Sequence, residues 1–500
     1  MFRFGKPSRP VRAGKAHPVA SLLVGIAWLV LVVRVLMPAE VPADPVRQSY
    51  RDLAWDCFWQ RDYSNAIAHF NQAIRLDPRD VWCWNCRALA EENVGDLAGA
   101  LADFRMAARI NPNYADVFVN CGELLQHQPN KLGIAIADYT QAIRLEPANP
   151  RPYILRAAAC LEATNSDQAL SDYNQAIQLQ PTNDLYWFDR GDLNERLNHF
   201  DAAISDYTVC LQLQPTNALY YLRRARGREM AGRVRARPGE PPTLTGALDP
   251  AWQDLRRAAE LDSSKLSCLG DFEYRHGLYD DARADYTAYL QAHPEEDLAW
   301  IARVFRARAG EWAARNDAQP RDREKQDATL ALALADWNQL AAAETNPANQ
   351  WRWRCERGGF YARNNQFTNA LADYQQAVEL APRPETFSRL ALFLATCPDP
   401  AFRNGTQALD YAQQAYEPGH PQNDLVLAGL AAAHAETGDY EQAVKFQKMA
   451  LKVMETRQQQ LESSGLGYMG CLDSFQREMV DRLAHYELKT PCHKVMGMME

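Results

Sequence analysis

The stretch AIAHFNQAIRLDP at residues 66–78 decides how this chain of 500 residues folds, because it is restated four times. It returns as ALADFRMAARINP (100–112), AIADYTQAIRLEP (135–147), ALSDYNQAIQLQP (169–181) and AISDYTVCLQLQP (203–215). The closing prolines Pro78, Pro112, Pro147, Pro181 and Pro215 are spaced by 34, 35, 34 and 34 residues. Such a period, with small and aromatic residues at fixed offsets, marks a stack of helix–turn–helix units. One unit cannot bury its own apolar face, so neighbours must stack, and length ceases to count domains.

With the closing proline as position 32, alanine recurs at position 20 (Ala66, Ala100, Ala135, Ala169, Ala203) and at 27 (Ala73, Ala107, Ala142, Ala176). A ring recurs at 24 (Phe70, Phe104, Tyr139, Tyr173, Tyr207) and another at 4 of the first helix (Trp84, Phe118, Tyr153, Trp187, Tyr221). The alanines let the two helices of a unit approach closely, and the rings at 4 and 24 are expected to fill the space between repeats. Proline ends each second helix, because it lacks a donor and disfavours helical geometry in the preceding residue. Asn149, Asn183 and Asn217, two residues on, are expected to cap the next helix.

These columns resemble the tetratricopeptide repeat (TPR) family over most of residues 47–452. The resemblance implies an all-α fold: a right-handed superhelix, an α-solenoid of about eleven repeats. Insertions are expected near 236–249, 312–327 and 397–406, and capping helices over 453–500. The segments LATCPDPAFRNG (394–405) and GLAAAHAETGDYEQA (429–443) are similar to the C-terminal repeats of many bacterial TPR proteins.

The formal net charge of −9 hides an asymmetry, since residues 1–34 carry six basic residues and no acid. An acidic body excludes generic nucleic-acid binding, which needs a basic face to displace counterions. Residues 1–18 form a basic arm, expected to be cytoplasmic. Val19–Met37 is an apolar run interrupted only by Arg34, which sits where its stem can snorkel. At ~1.5 Å per residue the run spans about one hydrocarbon core, so a single-pass transmembrane signal-anchor is expected at 19–37. The charge bias then places the repeats on the extracytoplasmic side. A cleaved signal peptide, leaving a secreted or periplasmic binder that begins near Asp44, is the alternative. Pro38, Pro42 and Pro45 make residues 38–46 a stiff spacer.

Eleven cysteines sit awkwardly with an oxidising compartment. Cys57, Cys121, Cys160 and Cys210 read as buried small hydrophobes, and a Cys471–Cys492 disulfide is conceivable. Trp82-Cys83-Trp84-Asn85-Cys86 looks like the WCxxC of thioredoxin-like proteins, but Trp84 already holds a packing position and no strands surround it. An accessory role in a redox or transferase complex would need those thiols exposed. Gly465, Gly467 and Gly470 satisfy a GxGxxG string without the βαβ unit that gives it meaning. No HExxH, GxSxG or P-loop occurs, and 49 residues after Leu451 are too few for the catalytic domain that follows some TPR arrays. We expect no enzyme, no cofactor, no metal and no small-molecule substrate.

The resemblance implies that positions 2, 5, 6, 9, 12 and 13 of the first helices line a concave groove for a protein or peptide partner. Those positions give Arg51, Asp52, Asn85, Asn120, Glu123, Asp189, Asp192, Arg223 and Arg226. Asn120 resembles the backbone-clamping asparagines of peptide-binding grooves, but the asparagine ladder is incomplete. The basic set that clamps chaperone C-termini is missing. Arg223, Arg224, Arg226, Arg228, Arg233, Arg235 and Arg237 concentrate charge beside the Pro-rich insertion and suit an acidic segment, with solvation against Glu229 and Glu240 as the alternative.

Overall fold

The helices Tyr63–Leu76, Leu97–Ile110 and Ser166–Leu179 each begin at a side-chain cap and end two residues before the closing proline, and paired helices of this kind build the described structure. The computed structural model describes residues 45–235, 249–296, 299–316, 323–344, 347–416, 423–463 and 470–493. They fold as eleven helical hairpins followed by one further helix, with no strand among the described residues. The expected span at 19–37 lies outside them, and among the described residues no helix is long and apolar enough to cross a membrane.

The chain divides into two units, residues 1–181 and 182–500. In the first, α1 (Pro45–Trp59) pairs with α2 (Tyr63–Leu76), α3 (Val81–Val94) with α4 (Leu97–Ile110), α5 (Ala115–Gln126) with α6 (Leu132–Leu145), and α7 (Arg151–Glu162) with α8 (Ser166–Leu179). In the second, α9 (Asp184–Arg196) pairs with α10 (Phe200–Leu213), α11 (Ala218–Arg235) with α12 (Asp249–Leu261), and α13 (Leu266–Arg275) with α14 (Tyr279–Ala292). Then follow α15 (Ala299–Asn316) with α16 (Arg323–Ala343), α17 (Pro347–Arg363) with α18 (Phe367–Leu380), α19 (Pro384–Thr396) with α20 (Gly405–Ala415), and α21 (Asp424–Glu436) with α22 (Tyr440–Ser463). The final helix is α23 (Gly470–Glu487).

Side-chain caps fix the starts of several helices. Asp62, Asp96 and Asn165 accept from the amides of Asn65, Gly99 and Gln168 at the starts of α2, α4 and α8. Asn149, Asn183 and Asn217 do the same for Arg151, Leu185 and Leu219, at 3.0–3.1 Å. Between the helices of a hairpin one residue takes a left-handed conformation: Arg61, Gly95, Asn130, Thr164, Asn198, Gly277, Asn365 or Gly438.

The alanine columns at positions 20 and 27 are fully buried, as are Phe70, Phe104, Tyr139 and Tyr207 of the second-helix ring column. The tyrosines of this column need a gap in the facing helix. Gly122, Gly191, Gly270 and Gly358 supply it for Tyr139, Tyr207, Tyr286 and Tyr374, since a Cβ on Gly122 would stand 2.6 Å from the Tyr139 ring.

The position-4 rings are mostly half-buried, as Trp84, Phe118, Trp187 and Tyr221 are, while Tyr153 is buried; Trp84 packs against the cores of two successive repeats, and these rings also reach the backbone of the preceding repeat. Trp84 donates its indole N–H to the Pro78 carbonyl at 3.0 Å, and the Tyr153 and Tyr221 hydroxyls donate to the Pro147 and Pro215 carbonyls at 3.3 Å. The carbonyl at the closing proline sits at a helix end without an intrahelical donor, and the next repeat's ring supplies one.

The insertions lie within hairpins. Residues 236–248 are outside the described set and α12 opens at Asp249; 312–316 and 323–327 are helical, lengthening α15 and α16. Over 397–406 the chain makes a 3-10 turn at Pro400–Phe402 before α20. Their effect on register is visible in one repeated ion pair. Arg87, Arg156, Arg190 and Arg357 grip Asp103, Asp172, Asp206 and Asp373, sixteen residues on, with two hydrogen bonds each. Arg224 and Arg306 make the same bidentate contact with Asp254 and Asp336, thirty residues on. Each of these two hairpins therefore accommodates fourteen extra residues while the buried pair keeps its geometry.

Candidate partner-binding seam

The first helices of successive repeats touch one another, as α3 does α5, α5 does α7, α13 does α15, α17 does α19 and, most extensively, α19 does α21. Side chains that face this junction are the groove candidates, so their partners decide what the face can offer. In the first unit Asn120 Nδ2 donates to Asn85 Oδ1 at 2.9 Å, and both are buried. Arg151 meets Glu123 at 2.8 Å, and Gln126 donates to Glu162 at 2.6 Å. Arg51 pairs with Asp80 at 3.2 Å, and its guanidinium carbon lies 4.4 Å from the Trp82 ring centroid. Asp52 is exposed and accepts from Gln48.

In the second unit the same junction is a row of carboxylates answered by arginines one repeat further on. Asp192 meets Arg223 at 3.4 Å, and Glu195 meets Arg226 at 2.8 Å. Glu229 meets Arg275 at 3.2 Å, Glu311 meets Arg363 at 2.9 Å, and Glu356 meets Arg389 at 3.0 Å. Glu195, Glu229, Glu311 and Glu356 are buried, so each requires its cation; unpaired, it would shift toward neutrality. Glu356 is held below the usual carboxylate range: burial opposes this, but Arg389, Arg308 and Arg363 outweigh it. Tyr207 adds a hydroxyl donor to Glu195 at 3.0 Å.

The arginine concentration after Arg223 is thus an ion-paired lattice. Arg223 and Arg226 answer Asp192 and Glu195, while Arg224 and Arg228 both reach Asp254. The Arg233 side chain lies outside the described residues. Free valence persists at two places. Arg226 keeps 64% of its side chain exposed. Asp189, half-buried with no cation beside it among the described residues, has its carboxyl raised to about 6 by burial and then by Asp192.

The cysteine motif is a packing element. Cys83 and Cys86 are buried in the cluster with Phe70, Ala73 and Ala90, and Cys83 donates to Asp80 Oδ2 at 3.3 Å. Burial pushes both thiols up, the reverse of what a reactive pair needs. The ten described cysteines are all unpaired; Cys121, Cys160 and Cys210 are buried and Cys57 partly so, and the Cys471 side chain lies outside the described set. Of the glycine string, only Gly470 is described, and it opens α23. Among the described residues no group of three or more His, Cys, Asp or Glu is placed to hold a metal ion.

Stacked hairpins with alanine-buried interiors and a polar first-helix seam define an all-helical repeat protein. Comparison with known proteins specifies the repeat. Tetratricopeptide repeat models match residues 52–115, 159–218, 354–384 and 382–456, so the chain carries tetratricopeptide repeats. Such repeats generally mediate protein–protein interaction and are generally non-catalytic. U-box domain-containing protein 70 of Oryza sativa subsp. japonica is 25% identical over 118 residues, 23% of this chain and 14% of that protein. Small glutamine-rich tetratricopeptide repeat-containing protein 2 of Mycosarcoma maydis is 26% identical over 89 residues, 18% of this chain and 25% of that protein. The chain therefore spans a quarter or less of the length of these two curated relatives. Among solved structures, the C-terminal part of a TPR repeat-containing protein from Cytophaga hutchinsonii is 18% identical, covering 51% of this chain and 98% of that one at a TM-score of 0.43.

Proposed function

We propose that this chain is a non-catalytic scaffold that holds a protein or peptide partner along the first-helix seam. In this reading residues 19–37 tether it to a membrane with the repeats on the extracytoplasmic side. The observation that carries the binding role is the mixture at Asp189 and Arg226. Most seam charges are neutralised in place, while the exposed edge of the paired Arg226 guanidinium and the unanswered Asp189 carboxyl remain to meet a partner's backbone or side chains. Repeats add modest contacts that sum along a chain, and a tether raises the effective concentration of a partner in the membrane plane. Buried, protonated thiols such as Cys83 and Cys86 are compatible with an oxidising side, because thiolate is the species that oxidises.

The test is cross-linking in intact membranes, then affinity capture of the full chain and mass spectrometry. The reading expects a specific partner whose capture is lost with Asp189→Asn, a change that removes the unanswered carboxyl and leaves the Arg226–Glu195 pair intact, with the thermal midpoint held. Equal capture by the variant would contradict the seam. Alkaline carbonate extraction tests the tether: retention in the pellet supports it, and release of a chain beginning near Asp44 replaces it with secretion.

A further inference from the structure

In the second unit three tryptophans line a cavity of about 540 Å³ that no described residue fills. Trp300 opens α15 and is 39% exposed, while Trp351 and Trp353 stand on the first turns of α17. Trp300 and Trp353 face each other at 5.6 Å between ring centroids, tilted by 60°. A protein interior closes such a gap with its own side chains, and an exposed indole beside an open cavity is the commoner signature of a binding anchor.

The charges at its rim say what would enter. Most first-helix arginines of this chain are held by a carboxylate, as Arg306, Arg357, Arg363 and Arg389 are in the neighbouring hairpins. Arg352 and Arg383 are not: neither meets a carboxylate among the described residues. Each lies instead over an indole, Arg352 over Trp353 and Arg383 over Trp351, both at 5.3 Å from the ring centroid. A guanidinium held this way keeps its N–H edge free for an oxygen acid, and the ring fixes its plane beforehand. The remaining charge at the rim, Glu344, already has an interaction of its own. The cavity volume suits one or two large apolar side chains and lies within the range of small-ligand sites.

The geometry points to a binding site for an acidic peptide segment, in which one aromatic or bulky aliphatic side chain enters the cavity against Trp351 and the Trp300–Trp353 pair while flanking carboxylates pair with Arg352 and Arg383. This site is separate from the proposed seam around Asp189 and Arg226 and does not depend on it. Carboxylate pairing in the guanidinium plane leaves the cation–π face intact, so the two interactions reinforce each other.

Fluorescence polarisation of the full chain with a labelled peptide, Gly-Asp-Glu-Phe-Glu-Asp-Gly, tests this directly. We expect saturable binding that falls at least about tenfold when Phe becomes Ala, when the acids become amides, or when Arg352→Gln and Arg383→Gln are combined, and that weakens with salt. Trp300→Ala should have the same effect with the thermal midpoint preserved; if that variant unfolds, the double arginine variant carries the test. Absence of saturable binding, equal binding of the amide peptide, or indifference to the arginine variant would overturn the proposal. So would saturable binding of a chito-oligosaccharide in place of the peptide, because the indoles would then serve a sugar.

Discussion

Arg156 holds Asp172 through two hydrogen bonds, Nε to Oδ2 at 2.9 Å and Nη2 to Oδ1 at 2.6 Å, and its third nitrogen donates to Thr140 at 3.0 Å. One guanidinium thereby ties both helices of its hairpin to the second helix of the hairpin before. Arg87 does the same with Asp103 and Asn71, Arg224 with Asp254 and Thr208, and Arg357 with Asp373 and Asn338. The contact recurs at the same place in the hairpins of Arg87, Arg156, Arg190, Arg224, Arg306 and Arg357, and where the arginine also reaches the preceding hairpin it fixes how the two meet.

Asp172 is buried, so its removal leaves Arg156 without its counter-charge in a poorly solvated site. Asp172→Ala should destabilise the first unit by roughly 3–5 kcal/mol. The double replacement Arg156→Met with Asp172→Leu should restore much of that loss, because an apolar pair fills the space without a stranded ion. Urea unfolding, with hydrogen exchange of α7 and α8, measures both.

Gly122 makes room for the Tyr139 ring, and the added methyl of Gly122→Ala would sit 2.6 Å from it. Helix propensity alone favours alanine by ~1 kcal/mol, so the sign of the change decides between local and tertiary control. We expect overpacking to win, with a net loss of about 1–2 kcal/mol and a lower thermal midpoint.

Cys83 and Cys86 should remain unlabelled by an alkylating probe in the native chain at neutral pH and react fully after denaturation. Burial and the Asp80 carboxylate both disfavour the Cys83 thiolate. Rapid native labelling would restore the redox alternative.

Glu273 is buried beside Asp285, and burial raises both carboxyls above their usual range, with Glu273 reaching about 8. In the folded chain Glu273 then keeps a proton that the unfolded chain releases near 4.3. Its contribution to stability is therefore fully present below that value and is lost as pH rises toward 8. The thermal midpoint of the second unit should fall across that window, and Glu273→Gln should flatten the fall. An identical slope in the variant would assign the pH dependence elsewhere.

The apolar columns were legible in the sequence because burial selects residue size at fixed period, and Ala100 or Phe104 has the same surroundings in every repeat. The Arg–Asp pairs recur too, but less regularly, and a sequence does not reveal them: charged residues read as solvated until a packing angle brings positions sixteen apart together. The insertions hid them further by stretching that interval to thirty at Arg224 and Arg306. The duty of Trp84 toward the Pro78 carbonyl depends on the backbone path between hairpins, which no column records. Arg223 and Arg226 looked like an open basic patch because a sequence shows charge without its partner. The cavity of Trp300, Trp351 and Trp353 joins separate hairpins, so its residues lie too far apart along the chain to suggest one site.

The claim that the first-helix seam is the binding face is tested most directly by photo-cross-linking from defined positions. A benzophenone amino acid placed at Asp189 or Arg226 on the seam is compared with the same group at Gln375 or Glu379, exposed positions on the second helix α18. The account predicts one common cross-linked partner from both seam positions and none from α18. Cross-links from α18 with silence at Asp189 and Arg226 would contradict it.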